Sequence, residues 1–250
     1  METLKGRVVI ITGGGGGIGL AAARSFAAAG AKVLITGRRG NVVDEVAASE
    51  ANIEALVADA STPADAQRTV ARALDLWGRL DVLVNNAGAG VPLALAEATI
   101  ERIRAIYAVN VFGSTLISSA AIPHLEVTHG SIINISSSLA QKPVAGFADY
   151  AASKAAIEQL TRCWALELAP KGIRVNAIAS GPVETAFLQE RMGLSQEAAE
   201  AVKAQEKNLI PLGRRGEPHD VASWIVAIAA PSASWITGQI LGVDGGFSLV

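Results

Sequence analysis

The sequence predicts a doubly wound α/β fold: a parallel sheet of about seven strands with helices on both faces, in a single domain over 1–250. Three observations predict it. Short runs rich in β-branched residues alternate with longer helical runs along the whole chain. A cluster of glycines, Gly13 to Gly17 and Gly19, follows the first apolar run directly and opens a helical one. With 250 residues, 50% of them hydrophobic, the chain can bury one substantial core, and no low-complexity linker divides it.

Arg7-Val-Val-Ile-Ile-Thr12 is the first strand, apolar on both faces as an internal parallel strand must be. The glycines follow, then a helix over 18–29, a stop at Gly30 and a second strand ending at Thr36. Strand, helix and strand within about thirty residues make a right-handed βαβ unit. A helix over 42–51 and a strand over 53–57 continue the alternation. Thr62 supplies an N-cap, Pro63 the first helical position and Asp65 an acid in the first turn of a helix that runs to about Trp77. The fourth strand is 80–85 and the fifth 130–135, with a helical region from Thr99 to about Ala121 between them. A helix from about Ala148 to Leu168, stopped by Pro170 and Gly172, leads to the sixth strand at 173–178. The polar stretch 187–207 reads as a pair of short helices outside the sheet, and a helix over 217–230 precedes a last strand, 239–243.

Composition excludes several function classes. Lys and Arg number 21 against 23 Asp and Glu, a net charge of −2 with no long basic run, so nucleic acid is not an expected partner. The single Cys163 excludes an internal disulfide; His124, His129 and His219 lack metal-ligand spacing, and no metal is expected. The first residues have no cationic region ahead of a long apolar one, and the apolar stretch 221–230 falls well short of the ~20 residues of a spanning helix. The expectation is a cytoplasmic protein with no membrane partner.

The stretch from Thr12 to Gly19 lies between the first strand and the first helix, where an open α/β sheet binds a dinucleotide. Glycines there permit a tight turn and let backbone N–H groups and the helix N-terminus approach a pyrophosphate. About 20 residues further on, the strand end that carries an acid when a ribose 2′-hydroxyl is bound has Gly37 instead, followed by Arg38 and Arg39. A guanidinium without that carboxylate suits a 2′-phosphate, so NADP(H) is expected ahead of NAD(H).

Tyr150 and Lys154, four apart in a predicted helix, project from one face and set an ammonium beside a phenol. A free phenol titrates near ~10, and a neighbouring cation favours the phenolate, which brings proton chemistry toward neutral pH.

Together these motifs resemble the short-chain dehydrogenase/reductase family, the single-domain Rossmann type, over almost the whole chain from Gly6 to Gly246. Thr12-Gly13-x-x-x-Gly17-Ile18-Gly19 is similar to its cofactor loop, Asp59 to its adenine-side acid, and Asn85-Asn86-Ala87-Gly88 to the segment that steadies the sheet beside the cofactor. Asn110, Ser137, Tyr150 and Lys154 resemble its catalytic four, with Ser137 chosen from Ser136-Ser137-Ser138 by its 13-residue spacing from Tyr150. Val243-Asp244-Gly245-Gly246 resembles its C-terminal signature. The segment that usually reads Pro-Gly-x-x-x-Thr is Ser180-Gly181-Pro182-Val183-Glu184-Thr185, so Ser180 stands for the proline while Gly181 and Thr185 match.

The resemblance implies an oxidoreductase interconverting a secondary alcohol and a ketone. Tyr150 would move the proton, Lys154 would favour the phenolate and bind the nicotinamide ribose, Ser137 would hold the substrate oxygen, and Asn110 would hold a water joining Lys154 to solvent. Gly181, Val183 and Thr185 would contact the cofactor, and a lid over about 184–208 would cover the substrate. Gly90-Val91-Pro92, 139–147 and the lid are the candidate pocket, with Gln141 and Glu184 as polar contacts and Arg191 as a candidate for an anionic substrate. The family also implies a homo-oligomer, a tetramer or dimer. Two rival readings stand beside the leading one. A 3-oxoacyl-(acyl-carrier-protein) reductase would need a basic mouth, for which Arg191, Lys203, Lys207, Arg214 and Arg215 are available. A catalytically silent cofactor sensor or scaffold could lack one of Ser137, Tyr150 and Lys154, and all are present.

Overall fold

The computed structural model describes residues 3–190 and 192–250. Its sheet contains β1 (Val8–Thr12), β2 (Lys32–Gly37), β3 (Ile53–Val57), β4 (Val82–Asn85), β5 (Ser131–Ser137), β6 (Arg174–Ser180) and β7 (Ile240–Val243). All pair in parallel, in the order β3-β2-β1-β4-β5-β6-β7. The helices are α1 (Gly17–Ala28), α2 (Gly40–Ser49), α3 (Pro63–Trp77), α4 (Ile100–Tyr107), α5 (Ser114–Thr128), α6 (Ala148–Leu168), α7 (Phe187–Glu190), α8 (Gln196–Leu209) and α9 (Pro218–Ala229).

Strand alternation explains the two layers of helix. In β1, Val9 and Ile11 face one side and pack with residues of α1, α2 and α9, among them Phe26, Val43 and Ile225. Val8 and Ile10 face the other and pack with residues of α3, α5 and α6, among them Val70, Ile117 and Leu168. Neither face of β1 meets solvent, which is why its sequence is apolar at every position up to Thr12. Thr62 caps α3 as expected, accepting from the Asp65 N–H at 3.3 Å, and Gly78 closes that helix in the left-handed region.

Two boundaries differ from the sequence expectation in ways that shape the site. The helical region beginning at Ile100 does not stop near Ala121 but continues to Thr128, carrying Pro123 inside α5. The Pro123 ring faces solvent while Ala121 and Leu125 are fully buried on the sheet, and that anchorage on both sides carries the helix through the proline. The run has the length and apolarity of a membrane span, yet Ile106, Ile117, Ala121 and Leu125 form its buried inner face in this domain. Between α4 and α5 it widens into a π-turn at Ala108–Gly113, where Gly113 lies so close to the Ala60 carbonyl that a Cβ would collide with it. The second difference is in β5 and β6, which run on to Ser137 and Ser180. These two serines pair with each other in the ladder, so the backbone register extends the strands past their apolar residues.

Candidate active site

The sheet order reverses between β1 and β4, whose neighbouring C-terminal ends create the crevice in which open α/β sheets bind nucleotides. Thr12 and Asn86 join the two ends. The Asn86 amide donates to the Thr12 and Gly13 carbonyls at 2.9 and 3.0 Å, and the Thr12 hydroxyl accepts from the Asn86 and Ala87 N–H groups at 3.1 and 3.0 Å. Gly13, at φ +67°, would press a Cβ against Ala87, and a Cβ on Gly19 would sit 2.5 Å from both the Asn86 amide and the Gly13 carbonyl.

The N-terminus of α1 fits a pyrophosphate. Gly16 at the N-cap has no side chain to cap it, the first turn has no acid, and a Cβ on Gly16 would meet nothing within 4 Å. The first N–H groups and the positive helix end are therefore left for an anion. Gly17, at φ +53°, faces the Thr185 methyl, 3.0 Å from where its Cβ would be, which places the 181–185 segment over the loop. Ile18 packs its side chain on the core below. At the far end of the crevice Arg38 is exposed, and its charge helps to hold the Asp59 carboxyl below its ordinary value, the largest cause being the Ser61 hydroxyl that donates to it. A Cβ on Gly37 would lie 2.9 Å from the Val43 side chain, so an acid at this strand end requires Val43 to move.

The four polar residues singled out by motif converge from three elements. Ser137 ends β5 and Tyr150 and Lys154 stand on the first turns of α6, with the Ser137 hydroxyl near enough to the phenol to favour its ionisation. Lys154 is 5% exposed; its ammonium lies 5.9 Å from the Tyr150 ring centre and donates to the Ile135 carbonyl at 2.8 Å. Asn110, on the π-turn, comes to the same place: a Cβ at Gly88 would be 3.6 Å from the Lys154 ammonium and 3.7 Å from the Asn110 amide oxygen.

The Asn110 side chain is closely committed. It accepts from the Ala89 N–H at 2.8 Å and donates to the Ala89 carbonyl and the Ser153 hydroxyl, both at 2.9 Å. Both amide hydrogens are thus used, so a water reaching toward Lys154 would meet the amide oxygen or the backbone carbonyl. Ser136 is turned away from the site and donates to the Glu158 carboxylate at 2.9 Å.

Electrostatics correct one expectation. Burial of the ring pushes the Tyr150 phenol above its ordinary range, and this outweighs the opposing hydrogen bond from Ser137. Burial also lowers Lys154 to about 8, so it remains a cation at neutral pH. The helical Tyr/Lys spacing does not by itself yield a depressed phenol, because desolvation dominates and the ammonium directs its hydrogen bond to Ile135.

The segment expected to act as a lid, about 184–208, holds α7 and most of α8. Phe187 tilts against Tyr150 with ring centres 6.3 Å apart, and a Cβ on Gly90 would strike both rings, at 2.9 Å from Tyr150 and 3.2 Å from Phe187. Thr185 accepts from the Phe187 N–H at 3.3 Å, and Val183 is held by the buried Arg215, which donates to its carbonyl at 2.7 Å. Gly181 presses on Asp244, where a Cβ would sit 2.5 Å from the Asp244 Cα, so this glycine brings the 243–246 signature against the end of β6. Ser180, in the proline's place, is steadied by strand pairing on both sides and by its hydroxyl bond to the Ser136 carbonyl at 3.4 Å. Arg191 lies outside the described residues. Sequence reasoning missed Ser153, which supports Asn110 and could have been suspected from its place beside Lys154; Phe187 falls in the expected pocket segment, but no local pattern announces its contact with Tyr150.

Comparison with known proteins agrees with this geometry. A family profile described as enoyl-(acyl carrier protein) reductase matches residues 14–248. The 3-oxoacyl-[acyl-carrier-protein] reductase of Thermotoga maritima is 35% identical, over 97% of this chain and 98% of that protein. Meso-2,3-butanediol dehydrogenase of Serratia marcescens is 37% identical, over 96% of this chain and 94% of its own. The crystal structure of 3-ketoacyl-(acyl-carrier-protein) reductase from Brucella melitensis complexed with NADH superposes with a TM-score of 0.92 at 36% identity, covering 98% of this chain and 100% of that one. A dinucleotide cradle at the sheet's switch point and full-length similarity to such dehydrogenases and reductases lead to one conclusion: the chain belongs to the short-chain dehydrogenase/reductase family and is an NAD(P)-dependent oxidoreductase acting on CH–OH groups.

Proposed function

We propose that this enzyme interconverts an uncharged secondary alcohol and its ketone with NADP(H), using Tyr150 as the general acid and base. The observation that carries the reading is the meeting of Ser137, Tyr150 and Lys154 beside Gly88, at the same sheet edge as the glycine loop. When bound, the nicotinamide supplies or accepts the hydride. In reduction, Tyr150 gives its proton to the carbonyl oxygen, which Ser137 also holds by hydrogen bond. A phenol raised by burial keeps that proton until charge builds on the substrate, and the Lys154 cation then offsets the phenolate left behind. Asn110 is a positioning residue that holds Ala89 against α6 through Ser153.

The NADP(H) preference rests on Arg38, exposed at the adenine end, and on the crowding by Val43 that disfavours an acid at Gly37. Apolar Phe187 and the unsubstituted Gly90 beside Tyr150 support an uncharged substrate under a lid over about 184–208. The acyl-carrier reading has support in the Thermotoga relative's own activity, but much of the basic mouth it needs is already neutralised. Lys203 pairs with Glu184 and Glu200, Arg214 with Asp220, and Arg215 with Glu184 and Glu206. Exposed Leu166 on α6 and Trp224 on α9 support self-association into a tetramer or dimer.

The test is NADPH and NADH oxidation measured side by side against ketones, sugars, steroids and β-keto thioesters, with wild type and Tyr150→Phe. Turnover of an uncharged ketone with NADPH, lost in Tyr150→Phe while cofactor binding survives, is expected. Undiminished turnover in the variant refutes the acid–base assignment, and a clear preference for NADH refutes the cofactor argument.

A further inference from the structure

Arg39 and Glu190, 151 residues apart in sequence, form a bidentate ion pair, with Nη1–Oε1 at 3.0 Å and Nη2–Oε2 at 2.9 Å. Both side chains are largely in solvent, 52% and 41% exposed, so the pair is not a requirement of the core. Its two ends are at telling places. Arg39 is the N-cap of α2, and its carbonyl accepts from the Val42 and Val43 N–H groups, so its backbone is fixed directly after the strand end where a ribose 2′ substituent is read. Glu190 ends α7, the short helix whose first residue, Phe187, lies on Tyr150. The guanidinium of the residue that follows Arg38 is therefore already occupied, by a carboxylate from α7.

We propose that Glu190 is a determinant of cofactor specificity: its carboxylate holds Arg39 in the cofactor-free enzyme, and a ribose 2′-phosphate competes with it for the same guanidinium fork. The inference builds on the NADP(H) reading above. A carboxylate and a phosphate present similar paired oxygens to a guanidinium, so one planar fork cannot serve both bidentately at once. The phosphate carries more charge and takes the site, but its net affinity is reduced by whatever the Arg39–Glu190 pair contributed. For an exposed pair that reduction is about two- to fivefold in Kd. A ligand without the 2′-phosphate leaves the pair intact and feels no such cost. Glu190 thus narrows the margin between NADP(H) and NAD(H), and binding of the phosphorylated cofactor releases α7 from the β2–α2 turn.

The experiment is equilibrium binding by calorimetry of adenosine 2′,5′-bisphosphate, AMP, NADP+ and NAD+ to wild type, Glu190→Gln, Arg39→Ala and the double variant. Glu190→Gln is expected to tighten the two 2′-phosphorylated ligands about two- to fivefold and to leave AMP and NAD+ unchanged. The gain should shrink at high salt and vanish when Arg39 is alanine. Unchanged or weaker bisphosphate binding by Glu190→Gln overturns the proposal, as does an equal gain for AMP or a gain that persists without Arg39. The two readings fail separately. A wild type that favours NAD+, with a Glu190→Gln gain for NADP+, would refute the NADP(H) preference and support the role of Glu190; a wild type that favours NADP+, with no gain in the variant, would do the reverse.

Discussion

Lys154→Met should make the cofactor-free protein more stable while abolishing its turnover. Lys154 is 5% exposed, and burial lowers it from 10.5 to about 8. That difference means that keeping the charged form folded costs about 3 kcal/mol, since each pH unit is worth ~1.4 kcal/mol. Methionine fills nearly the same volume without the charge. It leaves the Ile135 carbonyl without its 2.8 Å donor, a loss of about 1 kcal/mol. The net gain is about 2 kcal/mol, or roughly 4–8 °C in melting temperature for a chain of this size. The pH dependence follows from which state binds the proton. Between about 8 and 10.5 the unfolded chain keeps the Lys154 proton while the folded one has lost it, so wild-type stability rises with pH across that window. The advantage of the variant is therefore full below pH 8 and fades toward 10.5. Thermal melts of both proteins at neutral and alkaline pH measure this, with NADPH oxidation as the control for activity. A variant that melts below wild type at pH 7, or a gain that does not shrink with pH, would refute the account of Lys154 as a buried cation retained at the expense of stability.

Two further outcomes follow from buried polar groups. Asn110→Ala strands the Ala89 N–H and carbonyl and takes one donor from the Ser153 hydroxyl, which keeps its bond to the Tyr150 carbonyl, and should cost about 2–4 kcal/mol together with most of the turnover; unchanged melting and unchanged turnover would remove its positioning role. Asp81, 1% exposed at the start of β4, accepts from Arg7, from two nitrogens of Arg79 and from the Val8 N–H. Burial pushes its carboxyl up, but Arg79, the Val8 N–H and Arg7 more than offset this and hold it below 3.8. Its contribution is thus full above that value and lost as pH falls through the lower folded-state value. Asp81→Asn should lose about 3 kcal/mol at pH 7, the low end for a broken buried pair because both guanidiniums reach water, and should show a flatter acid limb in urea titrations than wild type.

What the sequence determined by itself is what one or two turns of chain can encode. The all-apolar β1 has to be internal, Thr62, Pro63 and Asp65 start a helix wherever they are placed, and the glycines after Thr12 leave an uncapped helix end for an anion. Tyr150 and Lys154 share a helix face because of the helical period, whatever surrounds them. Tertiary structure decided the rest, because burial and pairing depend on atoms supplied from distant parts of the chain. Pro123 stays inside a helix because Ala121 and Leu125 anchor it on the sheet, and Asn110 reaches Ala89 and Ser153 through a π-turn that no local pattern announces. The phenol of Tyr150 is raised and not lowered because the side chains packed around it penalise its charged form, a contribution that spacing alone cannot supply. In the same way, Phe187 on Tyr150 and Glu190 on Arg39 exist only because the chain returns to this end of the sheet after β6, bringing α7 and its carboxylate to residues far from it in sequence.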